Sequence, residues 1–286
     1  MALRDYLKDS EKQTGPMSPL LRASALKGAE LRRNPYIISA FYLILVTIAE
    51  WMTVYHPKWG IASHTFIMAI LFCHFFLVSG KDEKLAHYLI ALLLAPLIRI
   101  LSLCIPYIQF SWIFSFMLVA IPLFIAIFTC MWLQGLHGKD VGFASPKLKY
   151  MPLEAGIVLF AVALGIAEYM ILRPNPLPVS GTLNLITAAL LLIICTGFLE
   201  ELAFRGLLQY NAVIVMSKWR GIFIISAFFG VLHLGNISPW HLDCFFAGAV
   251  GFLFAVVRDK TGSLYGISFA HGIINTTLFL IAPLYF

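Results

Sequence analysis

Long apolar runs separated by short polar gaps recur along nearly the whole chain. A helix rises about 1.5 Å per residue, so about 20 apolar residues cross a hydrocarbon core about 30 Å thick. Runs of roughly that length lie at 36–55, 61–80, 86–106, 109–134, 154–172, 183–206, 221–235, 243–257 and 263–284, the seventh and eighth being short. The repeated length predicts an all-α, polytopic integral membrane bundle of about 8–9 transmembrane helices, not the alternating strands of an outer-membrane barrel. Between the two short runs, "LHLGNISPWHLD" combines Gly, Asn and Pro and reads as a loop dipping into the bilayer. The chain divides into a basic tail at 1–35, a set of spans without a recognisable motif at 36–180, and a last region at 181–286 that holds most of the intramembrane polar groups.

Composition strengthens this picture. Sixty per cent of the 286 residues are hydrophobic, only 12% are charged, and the mean hydropathy is +0.88, far from the balance of a soluble domain. A net charge of +6 would suit nucleic acid, but the basic side chains lie between apolar runs and form no soluble basic face. With nine crossings, one set of alternate gaps, together with the N-terminal segment, holds sixteen Lys and Arg, while the other holds only Lys58 and Arg173. That asymmetry predicts a cytoplasmic N-terminus, an exterior C-terminus and a cell (inner) membrane location. Trp51, Trp59, Trp112 and Trp240 stand near span ends, where interfacial anchors belong. The first 35 residues lack an apolar core ahead of a small-residue cleavage site and do not read as a signal peptide. Five scattered cysteines without C-x-x-C spacing imply neither a disulfide framework nor a zinc knuckle.

Against this background the stretch "CTGFLEELAFRGLLQ" at 195–209 stands out. Ionisable groups at bilayer depth cost roughly 2.5–3.5 kcal/mol each on insertion scales, so a chain that keeps several uses them or pairs them. Glu201 and Arg205 are four residues apart with the acid first, the favourable order for an ion pair on one helix face. Glu200 lies about 100° round the helix, so the two carboxylates cannot serve one partner in the same way. His271 and Asn275 are likewise one turn apart on one face. If the sixth helix continues through "GLLQYNAVIVMS" and turns near Lys218, Glu200 lies 18 residues before the turn and His233 lies 15 after it, which sets them at similar depth in an antiparallel pair.

At these residues the chain resembles the family of CAAX proteases and bacteriocin-processing enzymes, also called the Abi family, which includes the type II CAAX prenyl endopeptidases. The family's E-E-x-x-x-R, F-x-x-x-H and H-x-x-x-N motifs stand here in order as Glu200-Glu201-Leu-Ala-Phe-Arg205, Phe229-Gly-Val-Leu-His233 and His271-Gly-Ile-Ile-Asn275. The resemblance implies an intramembrane glutamic endopeptidase in which Glu200 and His233 activate a water. His271 and Asn275 would stabilise the oxyanion, and Glu201 with Arg205 would orient the site. It implies a peptide or lipidated-protein substrate, including C-terminal processing of prenylated CAAX-type or other membrane-associated peptides, alongside membrane lipid and without nucleic acid. Neither a metal nor another cofactor is required.

Two other classes use the same residues. A zinc-dependent membrane protease would assemble Glu and His ligands in space, although no H-E-x-x-H is present. A proton- or ion-coupled transporter would relay charge through buried acids and histidines, extended by Glu50, Glu168, His64, His74 and Arg99. Each of those five reads more simply as an interface residue or an interhelical partner. A third option, a non-catalytic membrane partner that holds another protein, fits poorly with an intact motif set.

Overall fold

The computed structural model describes residues 34–107, 112–236 and 239–286, and the basic tail expected at 1–35 falls almost entirely outside them. Among the described residues there are helices and no strands. We number the long ones α1 (Pro35–Tyr55), α2 (Pro57–Val78), α3 (Glu83–Cys104), α4 (Trp112–Leu133), α5 (Met151–Leu172), α6 (Thr182–Val215), α7 (Lys218–Val231), α8 (Trp240–Thr261) and α9 (Tyr265–Tyr285). All but α7 are long and apolar enough to cross a membrane, so the chain is an integral membrane protein.

Local chemistry sets the ends. Asn34 caps α1 by accepting the amide of Tyr36, with Pro35 in the first turn, where its missing N–H costs nothing. Asp82 caps α3 through the amide of Leu85. Pro96 leaves the carbonyl of Leu92 without a helical donor, and α3 breaks next to that point, at Leu93. Gly262, at φ 73°, ends α8 in the left-handed conformation.

Two spans differ from the sequence expectation. The sixth does not stop near 206 but runs on to Val215 and turns directly into α7, the hairpin on which the depth comparison of Glu200 and His233 depends. The polar residues that interrupt its apolar run are satisfied inside the protein: Gln209 donates to the carbonyl of Ala255 and Asn211 to that of Leu207. The eighth is not short, because α8 begins at Trp240 and extends through Arg258 and Lys260. Only α7 is short. Its 14 residues span about 21 Å, less than the hydrocarbon thickness, and the chain turns at 232–236 before α8 begins.

The ends of the bundle sort as the basic gaps suggest. Arg220 reaches Tyr36, Lys218 pairs with Asp259, Arg258 donates to the carbonyl of Asp140 and Leu264 to that of Gly142. These contacts gather the start of α1 and the α4–α5, α6–α7 and α8–α9 connections at one end. At the other, the rings of Trp51 and Trp240 meet edge to face, 5.0 Å apart. One buried apolar cluster runs through the bundle from Ile38 to Ile274.

Glycine sets the closest approaches. A Cβ on Gly197 of α6 would lie 2.6 Å from the backbone of Gly272 and Ser268 on α9, and one on Gly230 of α7 would lie 2.7 Å from the Cys244 carbonyl on α8. Backbone cannot retreat as a flexible side chain can. Gly197→Ala should therefore cost about 1–3 kcal/mol through overpacking, read as a drop of several degrees in the unfolding midpoint of detergent-solubilised protein. Gly156→Ala, where the new methyl meets nothing within 4 Å, should leave the midpoint unchanged.

Candidate active site

The two adjacent glutamates sit on a distorted stretch of α6. Helical bonding widens to the i+5 pattern over Leu192–Phe198 and again over Leu202–Leu208, leaving a single ordinary stretch, Leu199–Glu201, between them. Such π segments concentrate at functional sites because they re-aim side chains within a continuous helix. A third, Thr277–Ile281, begins just after Asn275.

Glu201 is fully buried, and its Oε1 accepts two hydrogen bonds. One comes from Nη1 of Arg205, at 2.8 Å on the same helix, and the other from Nδ1 of His271, at 2.8 Å on α9. A carboxylate offers only lone pairs, so Nδ1 of His271 carries the proton and Nε2 is the free ring nitrogen of the neutral form. That Nε2 lies 3.9 Å from Oε2 of Glu200. One imidazole therefore stands between both carboxylates, meeting each with a different nitrogen, as their angular offset on α6 requires.

His233 follows α7 directly. Its Nδ1 is 2.8 Å from the carbonyl of Phe229, an acceptor-only group, so this ring too is protonated at Nδ1. Phe229 occupies the centre of the cluster. The Arg205 guanidinium lies 4.1 Å from its ring centroid, and the rings of His233 and His271 lie 4.7 and 5.9 Å away. A desolvated cation over an aromatic face is attracted by the ring quadrupole. Arg205 is thereby held by a carboxylate and a ring, and Gly251 leaves no room for a Cβ beside its Nη2.

Asn275 donates from Nδ2 to Oγ1 of Thr196, 2.8 Å away on α6, and Thr196 donates in turn to the carbonyl of Leu192. One amide hydrogen of Asn275 is thus committed and the second is free for another acceptor. His233, His271 and Asn275 share a cavity of about 30 Å³, room for a water or two, with Glu168 of α5 and apolar side chains that include Phe246, Val250 and Phe254 of α8. Glu200 adjoins this space through His271. Among the described residues no hydrogen bond or ion pair joins Glu200 directly to His233, and no group of three or more His, Cys, Asp and Glu is disposed to hold a metal ion.

All six residues singled out from the sequence thus fall in one cluster built from α6, α7 and α9. Two polar members of the surroundings were not assigned to it. Thr196 left no signal beyond its place one turn before Glu200. Glu168 was noted only as a residue that could extend a charge relay; it has no base three or four residues away on its own helix, a sign that its surroundings must come from elsewhere in the bundle. The other candidates for a charge relay lie apart from the cavity: Glu50, His64 and Arg99 form their own network, and His74 meets Tyr42 at 2.9 Å.

Comparison with known proteins bears on this cluster. Neither the curated proteins nor the solved structures gave a match. A family model did: the one described as "Type II CAAX prenyl endopeptidase Rce1-like" matches residues 182–277, which contain Glu200, Glu201, Arg205, His233, His271 and Asn275 and exclude Glu168 and the whole of α1 to α5. By this match the C-terminal third of the chain is similar to the Rce1-like type II CAAX prenyl endopeptidases.

Proposed function

We propose that the protein is an intramembrane glutamic endopeptidase, with Glu200, His233, His271 and Asn275 as its catalytic residues and Glu201 and Arg205 orienting them. The observation that carries this reading is the His271 imidazole held between the two glutamates at the wall of a cavity that His233 and Asn275 also line. A water in that cavity would give a proton to Glu200, supported by the Nε2 lone pair of His233, as its oxygen adds to the peptide carbonyl. The resulting alkoxide would meet the free Nδ2 hydrogen of Asn275 and, where Nε2 of His271 has taken up a proton from solvent, the Nε2–H of that imidazolium. Glu200 would then pass its proton to the leaving nitrogen as the C–N bond breaks, leaving a carboxylic acid and an amine. No metal enters these steps.

The substrate class follows from the family match and the setting: a peptide or lipid-modified protein presented within the bilayer, with a prenylated CAAX C-terminus as the first candidate. We place the protein in the cell membrane with its N-terminus in the cytoplasm, since the basic connections gather at one end of the bundle.

Purified protein in detergent, given a fluorogenic farnesylated CAAX peptide and its unprenylated twin, tests the reading. Glu200→Gln should lower turnover by about 10²–10⁴, the range for loss of a general base, with little change in unfolding temperature. Asn275→Ala should lower it by about 10²–10³. Cleavage should survive chelation, whereas a loss restored by added zinc would favour the metalloprotease. Glu201→Gln separates the orienting role from the chemical one. It strands the Arg205 charge in the core, which costs about 3–5 kcal/mol, so unfolding temperature and turnover should fall together.

A further inference from the structure

A second set of buried charges lies outside the family-matched region. Glu50 on α1, His64 on α2 and Arg99 on α3 are all buried, the first two completely. The Arg99 guanidinium grips the carboxylate with two nitrogens, Nε on Oε1 and Nη2 on Oε2 at 2.8 Å. Nε2 of His64 lies 3.0 Å from the same Oε1. A bidentate pair of this kind fixes direction as well as distance.

The remaining arm of the fork leaves the N-terminal half. Nη1 of Arg99 donates to Oδ1 of Asn236, at 2.8 Å, in the turn that follows α7. The amide of Asn236 donates in its turn to the carbonyl of His233, at 3.1 Å. Gly235 lies against the same pair: a Cβ there would come within 2.5 Å of Oε2 of Glu50 and 2.9 Å of Nη2 of Arg99. The turn that carries His233 therefore rests on the Glu50–Arg99 pair at two successive residues. The Arg99 contact is made to the Asn236 side chain, and it ties this non-helical turn to α3.

We propose that Arg99, locked by Glu50, is a positioning residue for His233: through Asn236 it fixes the α7–α8 turn so that the imidazole faces the cavity. The proposal rests on the catalytic reading given above. It assigns a function to α1–α3, whose sequence carries no family motif. Arg99 acts through the turn and not on the substrate.

Asn236 is the residue to change, because its removal leaves the buried ion pair intact. Asn236→Ala, compared with Asn236→Asp, which keeps an acceptor for Arg99, is to be followed in the full-length protein by amide hydrogen exchange and by cleavage of the farnesylated peptide. Asn236→Ala should speed exchange at 232–236 while leaving α6 and α9 unaltered. It should also lower kcat by about 10- to 100-fold, the scale of a small misplacement of a catalytic group, with KM within about twofold, and Asn236→Asp should restore both readings. Unchanged exchange and kcat in Asn236→Ala would overturn the proposal. So would a loss that follows a lowered unfolding temperature and that Asn236→Asp does not recover. If Glu200→Gln still cleaves, or the wild type cleaves neither peptide, the catalytic reading is what suffers, and the exchange pattern alone decides whether Arg99 holds the turn.

Discussion

One carboxylate oxygen, Oε1 of Glu201, binds a guanidinium from its own helix and an imidazole from α9. In hydrocarbon there is no water to share the charge of a fully buried glutamate, so its partners have to come from protein, and they have to come close. The local partner, Arg205, is supplied by helix periodicity. The distant one, His271, requires α6 and α9 to touch backbone to backbone, which they do where Gly197 faces Gly272. Helix packing and site electrostatics are thus parts of the same constraint.

That constraint makes two chemically identical neighbours unequal. Glu201 is buried and paired: its charge is matched by Arg205, which Phe229 covers on another side. Glu200 points elsewhere, remains one quarter exposed at its side chain, and, among the described residues, meets the free nitrogen of His271. Fixing Nδ1 of His271 on Glu201 and Nδ1 of His233 on the Phe229 carbonyl leaves both rings with Nε2 as the variable nitrogen. These two hydrogen bonds thereby choose the tautomers, much as carboxylates and carbonyls do for histidines in metal sites.

The helical bundle was legible because the bilayer prescribes span length, and eight of the nine expected runs became helices of spanning length. Their ends were less legible. Gln209 and Asn211 look like the end of a span in sequence but find backbone acceptors inside the fold, and α8 extends through charged residues that belong to the interface. In the site, the pairings one turn apart could be read directly: Glu201 with Arg205, and the shared face of His271 and Asn275. The bonds that join the motifs could not, since His271 and Glu201 are 70 residues apart and Asn275 and Thr196 are 79 apart. Periodicity places residues on faces but does not say which faces meet.

The two buried arginines show what that difference means for assembly. Arg205 and Glu201 lie on one helix, so their charges are paired as soon as α6 forms, and the span can enter the bilayer with much of the cost already offset. Glu50 and Arg99 lie on different helices, 49 residues apart, and neither has its partner until α1 and α3 associate. Their attraction in a medium without water therefore favours helix association itself. Asn236 joins only through Nη1, the part of the guanidinium that Glu50 does not use. The order of dependence then runs from the α1–α3 pairing to the α7–α8 turn. The part of the chain without a recognisable motif thus builds the seat on which the His233 motif rests.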